Sequence, residues 1–467
     1  MSNPLSRLDT IRALRLTQYE AALATVFGTL VTGIFVTDYA LWLKANSFWI
    51  GVLAMIPTLV GLAQPLSSYF VERAGRRKPF VTLMAGLGRG IWILIIPIGF
   101  VVPEQFRLAT FLTLLTLSWL FLTLTGAPYV SWLTDLVPED QRGRFFSRRS
   151  VVATGTTIVI SMPFAWVLDR VNHGVALPII FGIAVVFAAL ALSCTVRIDE
   201  PPMAAPAKPQ TRTPWLELFA GPLLDRAFRP LLQFFLVFNF SGMIYGSFVI
   251  VYMRNTLHFT NMWTNNMCIV VIYAAMLASL PVWGYLADKF GNRPVGAIGL
   301  YLSLLWPPLM LVSLWPGGVG RYIIVGIAQV IGGIFNGALV VSHFNLLIGS
   351  IPAEKRTAYI AGYSAIIGVT GSVSPLVGGV LMQALGKFHY DIHLLGWALP
   401  IESFQILCLA CLAVRLTTPF LYARVRDPHA ATTKELLDQI TSPATLTGLV
   451  HMRKLDGWSG RRTSARG

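Results

Sequence analysis

The chain has 467 residues, of which 55% are hydrophobic and only 12% charged, with a formal net charge of +15 and a mean hydropathy of +0.65. A soluble domain carries about 25% charged residues, so the composition excludes a water-soluble fold, because there is too little polar surface to cover the apolar bulk. The basic balance does not indicate nucleic acid either: the cations fall at the ends of apolar runs rather than in one patch, as they do at the surface of a bilayer.

The N-terminal segment 1–19 is polar and has no apolar core of the kind a cleavable signal peptide needs. The first apolar run would therefore serve as its own insertion signal. It opens a series of twelve runs long enough to cross a hydrocarbon core as helices, near 20–43, 48–71, 79–101, 106–131, 150–169, 174–197, 228–253, 262–286, 295–315, 321–350, 357–385 and 393–417. The fifth and sixth are separated by the short turn RVNHG. Clusters such as Arg73, Arg76, Arg77 and Lys78, or Arg142, Arg144, Arg148 and Arg149, share one face with Arg7, Arg12 and Arg15. Loops of the other face carry single cations: Lys44, Arg107, Arg170, Arg254, Arg321 and Lys387. Positive residues gather on the cytoplasmic side of membrane proteins, so both termini are expected there. Cys194, Cys268, Cys408 and Cys411 lie in or beside apolar runs, which gives no disulfide framework, and the CxxC of the last two has no His or further Cys to complete a metal site.

Two charged turns repeat. SYFVERAGRRKPF (68–80) follows the second run and GYLADKFGNRP (284–294) the eighth. Setting Glu72 on Asp288 places Gly75 on Gly291 and Arg77 on Arg293, a shift of about 216 residues, too long for a solenoid unit and suited to a duplicated domain. VPEDQR (137–142) and IPAEKR (351–356) match at almost the same shift. The chain thus divides into a six-helix bundle at 20–197, a linker at 198–227, a second bundle at 228–417 and a polar, basic tail at 418–467. The linker begins rich in Pro and Ala, and WLELFAGPLLDRAFR within it suits an interfacial helix.

These residues resemble the major facilitator superfamily of transporters: GYLADKFGNR fits that family's GxLADxxGxR turn, SYFVERAGRR departs from it at Ser68 and Glu72, and both bundles carry a PxxxR turn. The resemblance implies an all-α integral membrane fold of twelve helices in two pseudo-symmetric six-helix bundles. It implies alternating access, with Glu72 facing the start of the eleventh helix near Thr357 and Asp288 facing the start of the fifth near Ser147 and Ser150. Arg73, Gly75, Arg77, Asp135, Gly291 and Arg293 would complete this conformational latch, with Asp135 as a partner for Arg73. The bland reading is that the arginines only orient loops and reach headgroups.

Polar residues within spans are costly and point to a pathway or to a buried partner. Gln329, Asn336 and His343 recur every seven residues in the tenth run, as do Thr25, Thr32 and Tyr39 in the first. Tyr245 lies in the seventh run, with Asn239 nearer its inner end. The family's cavity is lined by its first, fourth, seventh and tenth helices, so Thr32, Tyr39, Asn239, Tyr245, Gln329, Asn336 and His343 are the candidate substrate residues; otherwise they hydrogen-bond between packed helices. Three ionisable groups also fall inside runs: Asp38, Arg89 and Glu402. Asp38 is the candidate for proton coupling or else a hydrogen-bond anchor near the outer interface, and Arg89 and Glu402 are intramembrane charges on peripheral helices.

The function expected is secondary active transport of a small solute, with protons as a candidate coupling ion, a bilayer as the surroundings and no nucleic acid, cofactor or metal. Proton-antiport export of drugs or metabolites is one alternative, and a transporter-like scaffold, sensor or lipid-handling protein is another. No HExxH, GxSxG or phosphate-binding loop supports an enzyme. A monomer in a bacterial inner membrane is expected.

Overall fold

The computed structural model describes residues 7–138, 141–201, 224–226, 228–351, 356–386, 388–394 and 397–425. Twelve helical stretches among them are long and apolar enough to cross a bilayer. The first six are span 1 (Arg12–Trp42), span 2 (Ser47–Val71), span 3 (Lys78–Val101), span 4 (Glu104–Leu136), span 5 (Arg142–Arg170) and span 6 (His173–Arg197). The second six are span 7 (Arg229–Asn255), span 8 (Asn261–Phe290), span 9 (Asn292–Val312), span 10 (Val319–Gly349), span 11 (Gly362–Leu385) and span 12 (Ser403–Tyr422). At 1.5 Å rise per residue even the shortest covers about 30 Å. The face with the arginine-rich turns is termed inner below.

Short polar caps separate the spans. Val171 and Asn172 alone divide span 5 from span 6, and the Asn172 side chain accepts from the Gly174 N–H at 2.8 Å, starting the new helix. Asn46 does the same for span 2, accepting from the Trp49 N–H at 3.2 Å. The candidate linker helix lies outside the described residues, as does the chain beyond residue 425.

The leading helix of each half is broken. In span 1 the helix stops at Leu30 and resumes at Gly33, whose φ of +56° favours glycine. In span 7 it stops at Gly246 and resumes at Val249. Leu30 and Gly246 stand at the same offset as the two charged turns, as do Gly33 and Val249, so the duplication extends to a backbone defect.

Lipid tails are as apolar as leucine, so close packing and satisfied polar groups hold the helices together rather than exclusion from water. In the first half Tyr39 stacks on Trp42 and meets Phe111 and Phe181 edge-on. Trp92 packs on Phe181 and donates to Ser118 at 3.1 Å, and Ser118 donates to the Gly88 carbonyl at 2.7 Å. In the second half, a methyl on Gly333 of span 10 would overlap the Ile272 carbonyl of span 8.

The halves meet where span 2 packs along span 11 and where span 5 packs on the outer end of span 8. Gly51 lets the first pair approach: a Cβ there would lie 2.5 Å from the Pro375 carbonyl oxygen. Polar contacts join them too. Ser372 donates to Thr58 at 3.2 Å, Asn265 to Ser161 at 3.0 Å, and the Asn261 and Met262 N–H groups to Asp169 at 2.6 and 2.9 Å. Asp38 of span 1 faces Arg254 of span 7 at 3.9 Å. The Ser372–Thr58 bond stands at mid-span and the others in the outer part of their spans. The polar contacts described between the halves thus run from mid-span to the outer face.

The twelfth span corrects the sequence reading. It begins at Ser403, and the residues before it form a hairpin, β1 (His389–Leu394) antiparallel to β2 (Trp397–Glu402), with His389 opposite Glu402. HYDIHL alternates polar and apolar residues with period two, and Pro400 lacks the N–H a helix interior requires. Glu402 is therefore not an intramembrane charge: it caps span 12 in a capping box with Gln405 and accepts from Thr256 at 3.1 Å.

Candidate functional site

A cavity of about 200 Å3 lies between the halves beside the two helix breaks. Thr32, Gly33 and Thr37 of span 1, Pro57 of span 2, Trp119 of span 4 and Ser247 of span 7 are among its lining residues. A broken helix leaves peptide groups without their usual partners, a state tolerated at membrane depth only inside protein or against a water-filled cavity. Such breaks offer backbone dipoles to a ligand. Thr32 turns its hydroxyl back to the Gly28 carbonyl at 2.7 Å, leaving the neighbouring groups to the cavity.

The other candidate substrate residues are spread over several surroundings. Gln329, Asn336 and His343 do share a stripe of span 10. Gln329 is buried and accepts from Trp306 at 3.4 Å, Asn336 is exposed with its amide on the Gly332 carbonyl at 2.8 Å, and His343 stacks on Phe235 and bonds to the Tyr363 hydroxyl. The stripe is buried at its outer end, exposed at mid-span and half-buried again toward its inner end. Asn239 stands beside the Thr58–Ser372 contact, near Gly371, with a buried Oδ1 that has no partner. Tyr39 is wholly buried in the first-half core and donates to the Ile95 carbonyl at 3.1 Å. Tyr245 stacks on Trp306 and points its hydroxyl at Arg415 at 3.3 Å. Of the seven, Thr32 alone lines the small central cavity.

Asp38 occupies a second cavity, of about 360 Å3 at the outer face, with Trp42, Asn172, His173, Arg254 and Asn255. Its carboxylate is buried, 3.4 Å from His173 and 3.9 Å from Arg254. Arg254 belongs to the other half, so Asp38 spans the seam that closes the outer side.

A buried ionic network that includes Arg89 lies inside the first half. Glu20 of span 1 accepts from Arg149 of span 5 at 2.7 Å and from the Tyr129 hydroxyl of span 4 at 2.6 Å, and Arg89 of span 3 stands 3.5 Å away. Arg149 also donates to the Thr17 carbonyl at 2.5 Å. In the second half Arg415 of span 12 is 2% exposed; it donates to Ser241 at 3.1 Å and lies over the Phe238 ring at 4.6 Å. Glu20, Arg149 and Arg415 sit at the margins of apolar runs, where a hydropathy window assigns charge to the loops. Helices that overshoot the hydrocarbon put those margins inside the bundle.

The glycines of the charged turns take a left-handed backbone, with φ of +66° at Gly75 and +89° at Gly291, which favours glycine. Their ion pairs differ from expectation. Asp135 pairs with Arg77, not Arg73, at 2.7 Å; Arg77 is buried, and Arg73 is exposed. Glu200, at the head of the linker, lies 3.6 Å from Arg77 and accepts from the Arg77 and Lys78 N–H groups at 2.6 and 3.1 Å, capping span 3. Arg77 wins the carboxylates because its side chain turns inward under span 3 while Arg73 faces outward. Arg293 donates to the Ala423 carbonyl at 3.0 Å. Asp288 is exposed. The side chains of Glu72 and Thr357 lie outside the described residues.

Comparison with known proteins agrees with this architecture. The family model described as Major Facilitator Superfamily matches residues 21–272 and 264–459. The chain is 27% identical over 120 residues to Multidrug resistance protein 3 of Bacillus subtilis, covering 26% of this chain and 22% of that one. It is 31% identical over 116 residues to the class H tetracycline resistance protein of Pasteurella multocida, covering 24% and 27%. The alignments thus span about a quarter of these relatives. Among solved structures it is similar to a bacterial homologue of the iron transporter ferroportin, with TM-score 0.70 and 12% identity over 90% of this chain and 99% of that one. It is also similar to the nucleoside transporter NupG, with TM-score 0.64 and 12% identity over 89% and 98%.

Proposed function

The chain belongs to the Major Facilitator Superfamily, and from that premise we propose that it is a secondary active transporter that moves a small solute across a membrane by alternating access. The distribution of contacts between the halves carries this reading. Polar bonds and glycine-mediated packing hold the halves together from mid-span to the outer face, while the acid of the second-half turn is exposed on the inner side. Two repeats that rock about a site at mid-membrane would exchange these conditions.

In this reading the inner face is cytoplasmic, with both termini on it, and the protein works as a monomer in a bacterial inner membrane without catalysing a reaction. Thr32 and Ser247, at the paired helix breaks, touch the solute, and Asn239 and Asn336 border its path. Glu72 and Asp288 re-engage at the starts of spans 11 and 5 when the inner side closes. Asp38 couples protons: protonation from outside removes its attraction to Arg254 and frees the outer seam. A second reading, export of drugs or metabolites in exchange for protons, is favoured by the local similarity to the two resistance proteins.

Cysteine accessibility tests alternation without knowledge of the solute. In a cysteine-free background, Thr32→Cys should react with a membrane-impermeant maleimide from the inner face and, more slowly, from the outer face. Reaction from one face only, under every gradient applied, would overturn the transport reading and favour a static scaffold.

A further inference from the structure

The outer start of span 8 concentrates unmet polar atoms at the seam between the halves. Among the described residues eleven buried side-chain nitrogens and oxygens have no hydrogen-bond partner, and five of them fall within Asn261–Asn266: Oδ1 and Nδ2 of Asn261, Oγ1 of Thr264, Oδ1 of Asn265 and Oδ1 of Asn266. Asn261, Thr264 and Asn265 are at most 1% exposed. Residues three and four apart on a helix are neighbours, with Cβ atoms about 5–6 Å apart, so these three form one patch. Asn265 shows where the patch faces, since its Nδ2 donates to Ser161 of span 5 at 3.0 Å. Ser161 spends its own proton on the Ile158 carbonyl at 3.3 Å and is left to accept, which makes Oδ1 of Asn265 the unmet atom. From Asn266 to Val271 the backbone runs as a π-helix, a form that is rare and frequent at functional sites.

A carboxylate stands at the same place. Asp169 of span 5 accepts from the Asn261 and Met262 N–H groups at 2.6 and 2.9 Å, and it forms no ion pair among the described residues. The cations closest to it in the chain and in the adjoining loop are engaged elsewhere: Arg170 lies over the Trp166 ring at 5.2 Å, and Arg254 donates to the Phe259 carbonyl at 2.9 Å and faces Asp38 at 3.9 Å. The patch therefore offers four unmet oxygens against one unmet nitrogen, beside a carboxylate without a cationic partner. Ordered water serves donors and acceptors alike. An excess of oxygens next to a carboxylate suits a hard cation better. One carboxylate balances one positive charge, whereas a divalent ion would leave a net charge buried, which is costly.

We propose that Asp169 of the first half and Asn261, Thr264, Asn265 and Asn266 of the second form a site for a monovalent alkali-metal cation, filled when the outer seam is closed. The cation ties span 5 to span 8, and opening of the seam parts the carboxylate from the amide oxygens and releases it. A ligand that binds one state better shifts the balance toward that state, so the ion favours the closed outer side. This rests on the transport reading and adds to it a second ion besides the proton. Ordered water in place of the cation is the competing occupant, and the test separates the two.

The full chain is placed in phosphatidylcholine nanodiscs, and its thermal unfolding midpoint is measured as sodium replaces choline at constant ionic strength. A saturable rise with sodium is expected. Thr264→Val and Asp169→Asn should each weaken the apparent sodium affinity about tenfold or more, and Thr264→Ser should retain it. Thr264→Val also separates binding from folding: it removes an unmet buried oxygen, so in choline the variant should be no less stable than the wild type. In the closed-seam reading sodium slows labelling of Thr32→Cys from the outer face several-fold. A midpoint indifferent to sodium overturns the proposal and leaves water as the occupant. So does a rise that Thr264→Val and Asp169→Asn leave unchanged, a rise that calcium alone produces, or sodium stabilisation without slower outer labelling. Any of these with Thr32→Cys still labelled from both faces leaves transport standing, whereas labelling from one face only refutes transport itself.

Discussion

Glu20 shows how a single side chain can be misread from its position in the sequence. Its place at the margin of the first apolar run suggests a loop acid, yet it is 4% exposed and shared by Arg149, Arg89 and Tyr129. What conceals it is that three of its partners come from other spans, so the neutralisation that makes burial tolerable cannot be seen along one segment. Breaking a buried pair by removing one partner costs about 3–5 kcal/mol, mostly from the charge left behind. Glu20→Gln should therefore lower the thermal unfolding midpoint strongly, and Glu20→Gln with Arg149→Gln should recover part of the loss. A double mutant no more stable than the single would show that the two residues are not coupled. The Arg77 network gives a second contrast. Glu200 caps two N–H groups and is mostly buried, whereas the Asp135 side chain is 43% exposed. Glu200→Ala should cost about 1–3 kcal/mol, combining a lost cap with a lost charge partner. Asp135→Asn should cost under about 1 kcal/mol, since solvent screens it. Equal losses in denaturant unfolding would refute the ranking.

At the level of elements, apolar length alone made nine spans legible to within about five residues, because bilayer thickness leaves a helix little choice, while spans 1 and 5 begin well before the apolar runs expected for them, at Arg12 and Arg142. The twelfth was misplaced: the apolar stretch of the hairpin runs on into the helix, and only the period of two in HYDIHL and Pro400 betray the strands. The paired breaks at Leu30 and Gly246 were not visible in propensity, although Gly33 and Gly246 stand at them. The span 2 and span 11 seam is the element contact that this state depends on. Its closeness requires Gly51 and Gly379, whose added Cβ atoms would lie 2.5 Å from the Pro375 oxygen and 3.1 Å from the Ser47 oxygen. Gly51→Val should wedge this seam, costing about 1–3 kcal/mol in the closed-outside state and less in the open one. The measurement is outer accessibility of Thr32→Cys, expected to rise several-fold without loss of folded protein. Conversely, Ser47→Cys with Gly379→Cys should crosslink under oxidation and abolish outer labelling. Labelling that persists in the crosslinked protein would mean that solute does not pass this seam.

In the proposed alternating-access scheme the whole molecule balances two seams, and its duplication makes the balance testable. Asp38 and Arg254 act at the outer side, where their attraction is worth on the order of 1 kcal/mol once the partial exposure of Arg254 is allowed for. In that scheme Asp288 acts at the inner side, where an acid facing a helix start is favoured by about 0.3–1 kcal/mol. Each is small beside the stability of the fold, yet about 1 kcal/mol changes the ratio of two states roughly fivefold. The two acids therefore have opposite effects. Asp38→Asn releases the outer seam and should increase the fraction closed inside, whereas Asp288→Asn should decrease it by about two- to fivefold. Spin labels at Gly143→Cys and Lys289→Cys, on the inner ends of spans 5 and 8, report this directly as the share of the short distance in pulsed dipolar spectra. The double variant should return toward the wild-type distribution, since sites on opposite faces of the membrane add nearly independently. If both substitutions move the distribution the same way, the acids do not hold opposing seams, and the rocking scheme for these residues fails.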